Sequence, residues 1–124
     1  MRLYDYERMA NMLNIINVFK ALSDETRLRI LNLLFEQELC VCDIMEVLQI
    51  NQTKASRHLA YMKNAGLLND KKNAQWVYYS MADLENDSFI EILIRNALRN
   101  DSLYKNDLEN LSKWLKVKKI NCTD

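Results

Sequence analysis

The sequence predicts a mainly helical fold with one small β-hairpin, and three observations carry that expectation. The 124 residues include no proline and a single glycine, so few positions break a helix or open an irregular loop. Most apolar residues recur three or four apart, the helical period. One stretch, 67–81, departs from that period and holds the β-branched and aromatic run Trp76-Val77-Tyr78-Tyr79, the pattern of paired strands. The length is that of one small domain, 1–124, with room for a modest core.

Residues 4–20 place Tyr6, Met9, Leu13, Ile16 and Phe19 at helical spacing, a first amphipathic helix. Ser23 is expected to cap a second helix, with Asp24 and Glu25 at the positive end of its dipole. Leu28, Ile30, Leu31, Leu34 and Phe35 make that helix the most apolar, hence the buried centre. A short third helix, about 42–48, carries Ile44, Val47 and Leu48 on one face. Ile50-Asn51 reads as a tight turn with Asn51 as the next N-cap. A fourth helix follows over 52–65, and the only glycine, Gly66, stands where a residue after the helix must take φ > 0.

Strands are expected over Leu67 to Lys72 and Gln75 to Met81 around a break at Asn73-Ala74, with Asn73 the residue suited to a left-handed turn conformation. Residues 87–118 then form one long helix or two. Their stripe is Ile90, Leu93, Ile94, Ala97, Tyr104, Leu108, Leu111 and Leu115, and Asn100-Asp101-Ser102 is a natural point of interruption. The two terminal helices, 4–20 and 87–118, carry more apolar surface than a small core covers, which points to a homodimer interface.

Two short helices joined by a tight turn and followed by a hairpin are the order of a winged helix-turn-helix, with 42–65 as the helix-turn-helix and 67–81 as the wing. Projection of the fourth helix supports a DNA-reading role. Ala55, Leu59 and Met62 fall on one side, and Thr53, Lys54, Arg57, His58 and Tyr61 lie opposite. Outward Gln52, Thr53, Lys54, Ser56, Arg57 and His58 suit base edges and phosphates of double-stranded DNA, and Lys71 and Lys72 on the wing suit the flanking backbone. Overall charge is zero, with 17 basic and 17 acidic residues. Residues 51–81, however, hold Lys54, Arg57, Lys63, Lys71 and Lys72 against Asp70 alone, a local +4 set on an acidic remainder.

Catalysis is not expected. There is one histidine and one glycine, no His-Cys-Asp set, no phosphate-cradling loop and no zinc-protease motif. No apolar run approaches the roughly 18 residues of a membrane span, and the N-terminus does not read as a signal peptide. Three cysteines without a secretory segment point to free thiols in a reducing, cytoplasmic setting.

Cys40 and Cys42 stand one residue apart at the start of the third helix. In a regular helix, positions i and i+2 point to nearly opposite sides, so one ion could hold both sulfurs only if the first turn were extended or distorted. A helix N-terminus favours the metal-binding thiolate. The alternative is that the two simply fill the core, as buried cysteines often do.

Taken in order, the segments from Phe19 to Leu31, Glu38 to Ile44, Ser56 to Leu59 and Trp76 to Tyr79 resemble the ArsR/SmtB family of metalloregulatory repressors, over about residues 15–82. The resemblance implies a dimeric winged-helix repressor, bound to operator DNA without any cofactor and released when a toxic metal or metalloid binds. It further implies that Cys40-Val41-Cys42 is the thiolate site. Residues 82–124 contain no histidine, unlike zinc sensors of the family, and residues 1–39 contain no cysteine, unlike its cadmium sensors. As(III) or Sb(III) is therefore the expected inducer, with Cd(II) or Pb(II) the runner-up and a thiol redox switch the rival. Arsenic-type boxes often carry a third cysteine where this chain has Met45. The third sulfur then comes from Cys122, from a small thiol in solution, or is not required. In the redox reading a Cys40–Cys42 disulfide closes a strained small ring, and Cys122 is the better resolving partner.

Overall fold

A computed structural model of the chain describes residues 3–82 and 88–121. Its elements, in order, are α1 (Leu3–Leu22), α2 (Glu25–Leu34), β1 (Leu39–Cys40), α3 (Val41–Leu48), α4 (Gln52–Asn64), β2 (Leu68–Asn73), β3 (Trp76–Met81), α5 (Ser88–Ile92) and α6 (Ser102–Asn121), with a π turn over Leu93–Ala97 and a 3-10 turn over Leu98–Asn100 before α6. A small antiparallel sheet in the order β1-β3-β2 flanks the helices. The arrangement is the winged helix-turn-helix that the element order predicts.

Local signals place most boundaries. Asn51 caps α4 by accepting the Lys54 amide at 2.8 Å. Gly66 takes φ 84° just after the helix, as its position requires. Three expectations shift. The cap of α2 is Asp24, which accepts the Arg27 amide at 3.0 Å, while the Ser23 hydroxyl turns back to the Lys20 carbonyl. The hairpin turn is Ala74-Gln75, and Ala74 rather than Asn73 adopts the left-handed φ of 58°. The ladder extends as far as the Asn73–Trp76 pair, so Asn73 must stay extended and the positive φ falls one residue later. The two-residue strand β1 was not anticipated, because a run that short has no readable period.

The core gathers around α2. Ile30, Leu31 and Leu33 are fully buried and pack with Ile44 of α3, Leu59 and Met62 of α4, and Ile94 and Leu111 of the C-terminal segment. The long C-terminal stretch does divide at Asp101, whose backbone is extended and whose carboxylate accepts the Leu103 amide at 2.9 Å. Much of its apolar stripe is used inside the chain: Ile90, Ile94, Leu98, Tyr104 and Leu111 are buried. That differs from the expectation that the whole stripe serves a second subunit, and the reason is polar as well as apolar. Asp107, buried on α6, holds Arg29 through two bonds of 2.8 Å, and the buried Asn32 amide of α2 donates to the Tyr104 carbonyl at 3.2 Å. In contrast, among the described side chains α1 contributes Val18, Ala21 and Leu22 to the core. Its Tyr6, Met9, Met12, Ile15, Ile16 and Phe19 stay exposed, and Phe19 meets Phe89 edge-on at 5.7 Å.

Candidate functional site

The polar face expected to meet DNA lies on α4. Burial of Ala55, Leu59 and Met62 fixes the rotation of this helix, and the same rotation leaves Gln52, Thr53, Lys54 and Arg57 exposed. Ser56 and His58 are half-buried. His58 is turned toward α2, with Nδ1 3.4 Å from an Arg27 guanidinium nitrogen. Arg27 in turn lies 4.3 Å over the Tyr61 ring and donates to the Ala21 and Lys20 carbonyls at 2.7 and 3.1 Å. His58 therefore braces α4 against α2 as well as edging its outer face. Lys71 and Lys72 are exposed on β2. The single acid of this region, Asp70, is paired with Lys63 at 2.9 Å, an ion pair between the end of α4 and the wing that leaves the other cations unopposed by it.

Cys40 and Cys42 come together at the junction of β1 and α3. Cys40 is the N-cap of α3, in extended conformation with φ −86° and ψ 167°, and Cys42 lies in the first helical turn. The extended cap is what lets two sulfurs one residue apart converge. Their Cα atoms are 5.4 Å apart and the sulfurs are paired with each other, within the span that a disulfide requires. The extended start is one of the two conditions that the spacing sets for convergence, and the helix proper begins after Cys40. The approach of the two sulfurs to each other is the contact that ring strain was expected to disfavour.

A third group completes the cluster. The Asp43 carboxylate lies within 4.8 Å of both sulfurs. Its Oδ2 accepts the Cys40 amide at 2.9 Å, and its Oδ1 accepts Trp114 Nε1 at 2.8 Å and Lys118 Nζ at 2.7 Å. The same ammonium lies 3.7 Å from Cys40 Sγ. α6 thus covers the Cys40 side of the thiol pair, with a buried carboxylate, an indole and a cation at its inner edge, while Cys42 is half-buried. Sequence reasoning passed over Asp43, Trp114 and Lys118. Asp43 had a signal, since an acid at the third position of a helix is where a side chain bonds back to the cap residue. Trp114 and Lys118 had none, being more than 70 residues away along the chain. Cys122 lies outside the described residues.

Chemically, two adjacent sulfurs suit a soft ion, and their pairing suits reversible oxidation. Cys40 also has a structural tie to the other face. It pairs with Tyr78, and Leu39 with Tyr79, so the thiol site is one end of the sheet that forms the wing.

Comparisons with known proteins point to one family. A family model described as "Bacterial regulatory protein, arsR family" matches residues 24–70. The arsenical resistance operon repressor of Escherichia coli is 52% identical over 68 residues, 54% of this chain and 58% of the relative. The arsenic resistance transcriptional regulator ArsR2 of Pseudomonas putida is 41% identical over 92 residues, covering 73% and 79%. A cadmium resistance transcriptional regulatory protein, a CadC homolog of Staphylococcus aureus, is 43% identical over 74 residues, covering 59% and 61%. The chain thus spans less than two thirds of the length of several curated relatives it matches. Among solved structures, the homodimeric winged helix-turn-helix DNA-binding domain of Mb0332 from Mycobacterium bovis superposes with a TM-score of 0.64 at 26% identity, covering 77% of this chain and 91% of that one.

Proposed function

The chain belongs to the arsR family of bacterial regulatory proteins, and from that premise we propose that it is a homodimeric repressor that binds operator DNA and leaves it when As(III) or Sb(III) is taken up by Cys40 and Cys42. The observation that carries this reading is the convergence of the two sulfurs at the extended cap of α3. Supporting it are the arsenic-related names of the E. coli and P. putida relatives and the homodimeric M. bovis structure.

The residues present fit a soft metalloid. In the reduced protein Cys40 and Cys42 would hold it as thiolates, which such ions prefer over oxygen and nitrogen donors. A third sulfur would come from Cys122 or from a small thiol in solution. The rest of the response lies in the chain itself. Cys40 is at once the ladder partner of Tyr78 and the cap of α3, and α3 packs on α4. A load on its sulfur therefore reaches the wing through the β1–β3 ladder and the recognition helix through the α3–α4 packing. On DNA, Gln52, Thr53, Lys54, Ser56 and Arg57 meet the groove, His58 edges that face while bracing the helix, and Lys71 and Lys72 meet the flanking phosphates. A coupling free energy of about 1–3 kcal/mol between the two sites changes occupancy by about 5- to 150-fold.

Fluorescence anisotropy of the reduced protein on its own upstream DNA, titrated with arsenite, Cd(II) and Zn(II), tests this reading. Release near one equivalent of arsenite per site, lost in the Cys40→Ser/Cys42→Ser double variant, is the expected result. Tight binding that ignores all three ions would refute it. Cadmium release without arsenite release would select the cadmium reading, for which the S. aureus relative stands. The pairing of the two sulfurs favours one further reading, a redox switch. Release by diamide that dithiothreitol reverses, with no response to arsenite, is its signature.

A further inference from the structure

We propose that Lys118 sets which ion the thiol site accepts, by keeping the Asp43 carboxylate out of the donor set; the assignment rests on reading Cys40 and Cys42 as the inducer site. Two thiolates and a carboxylate within 4.8 Å of one another would make a triply negative cluster. Sulfur with one oxygen donor is a set that divalent Cd(II), Zn(II) or Pb(II) accepts. The fold does not leave that set free. Asp43 is 2% exposed, and both of its oxygens are engaged: Oδ2 by the Cys40 amide, and Oδ1 by Trp114 Nε1 and Lys118 Nζ.

Two consequences follow for an arriving ion. A dication that recruits Asp43 must displace an ammonium bonded at 2.7 Å, and must do so beside that same positive charge, 3.7 Å from Cys40 Sγ. Removing a partner from a buried ion pair is costly, because the group left behind stays desolvated. Arsenous acid meets neither obstacle. It is uncharged and is bound through sulfur, each thiol proton leaving with one of its hydroxyls as water, so it makes no claim on the carboxylate. Lys118 thereby penalises divalent ions and leaves the metalloid unaffected. Because Lys118 and Trp114 both project from α6, the C-terminal helix serves as the selectivity element for a site whose sulfurs lie on β1 and α3.

The test is calorimetry, together with the ultraviolet thiolate-to-metal absorption band, on the reduced full chain with Cd(II) and with arsenite. The variants are Lys118→Gln, Lys118→Met and Lys118→Arg. With the cation removed, Cd(II) binding is expected to tighten about tenfold or more while arsenite binding is little changed. Lys118→Arg should behave as the parent. In Asp43→Asn/Lys118→Gln the cadmium gain should vanish, because the neutral amide has no carboxylate to offer. Gln and Met are both read, each keeping most of the side-chain length, so that one folded variant, verified by its thermal melt, decides the matter. Unchanged cadmium affinity in the folded variant, or the same gain with Asp43→Asn present, would overturn the assignment. Failure of arsenite to load the parent protein would instead sink the inducer reading, and Lys118 would still be decided by the cadmium arm.

Discussion

His58 shows how one residue's surroundings set both its charge and its task. Burial pushes its imidazole below the ordinary value of 6.5; Asp24 across the α2 cap pulls the other way, while Arg27, Lys54 and Arg57 add to the depression. The folded-state value thus lies below the unfolded one. The resulting stabilisation is fully present above the unfolded value and is lost as pH falls through the folded one. His58→Gln is accordingly expected to flatten the decline of the melting temperature as pH falls below the ordinary imidazole value, a shift readable by circular dichroism at several pH values. An unaltered pH dependence would show that the imidazole does not titrate against this background. A helical projection set His58 on the outward face with Arg57; its turn toward Arg27 follows from where α2 packs, which the residue's own spacing cannot report.

Among the elements, α6 departs most from what its sequence suggests. Its apolar stripe invites a partner subunit, yet Asp107, Trp114 and Lys118 tie it to α2 and α3 of its own chain. The Arg29–Asp107 pair is the strongest of these ties, bidentate and with the carboxylate 1% exposed. Breaking one side of a buried pair costs about 3–5 kcal/mol, and the partial exposure of Arg29 puts this one toward the lower end. Asp107→Ala should therefore lower stability to urea by about 3 kcal/mol without touching a groove-facing residue. A loss well under 1 kcal/mol would mean that α6 is held by its apolar contacts alone. Cap chemistry was easier to read. Asn51 and Gly66 perform the roles their positions announce, since capping is decided within three or four residues. The caps of α2 and the hairpin turn slipped by one residue, because neighbouring Ser23 and Asp24, or Asn73 and Ala74, offer similar local chemistry and the packing of the flanking elements chooses between them.

For the whole molecule, the feature of most consequence is the uncovered apolar face of α1. Tyr6, Met9, Met12, Ile15, Ile16 and Phe19 are exposed along one helix, and Phe19 meets the exposed Phe89, the kind of apolar face that marks an interface. If that face joins two copies, Ile16→Glu should yield a monomer by analytical ultracentrifugation at micromolar concentration. The variant should still melt cooperatively, since Ile16 takes no part in the core. Its affinity for a two-half-site operator should fall by about a hundredfold or more, the avidity of paired recognition helices being lost. A variant that stays dimeric would move the interface to another surface.

Local chemistry alone determined a good deal about this protein. Helical period, the absence of proline, the cap residues and the single glycine specified a winged helix-turn-helix, and the polar face of α4 and the two cysteines were visible as candidates. These properties depend on residues within a turn or two of one another, so they survive in the one-dimensional string. Only the tertiary structure decided that Cys40 is an extended cap paired with the wing, that its sulfur meets that of Cys42, and that Asp43 is held by Trp114 and Lys118 from the far end of the chain. It also decided that α6 folds back on its own core while α1 joins that core at its C-terminal end and leaves Tyr6 to Phe19 exposed. The sulfur contact is local but depends on where β1 ends and α3 begins; the other outcomes are contacts between segments distant in sequence, chosen by which apolar faces find cover and which buried charges find partners, and neither choice leaves a periodic trace in the sequence.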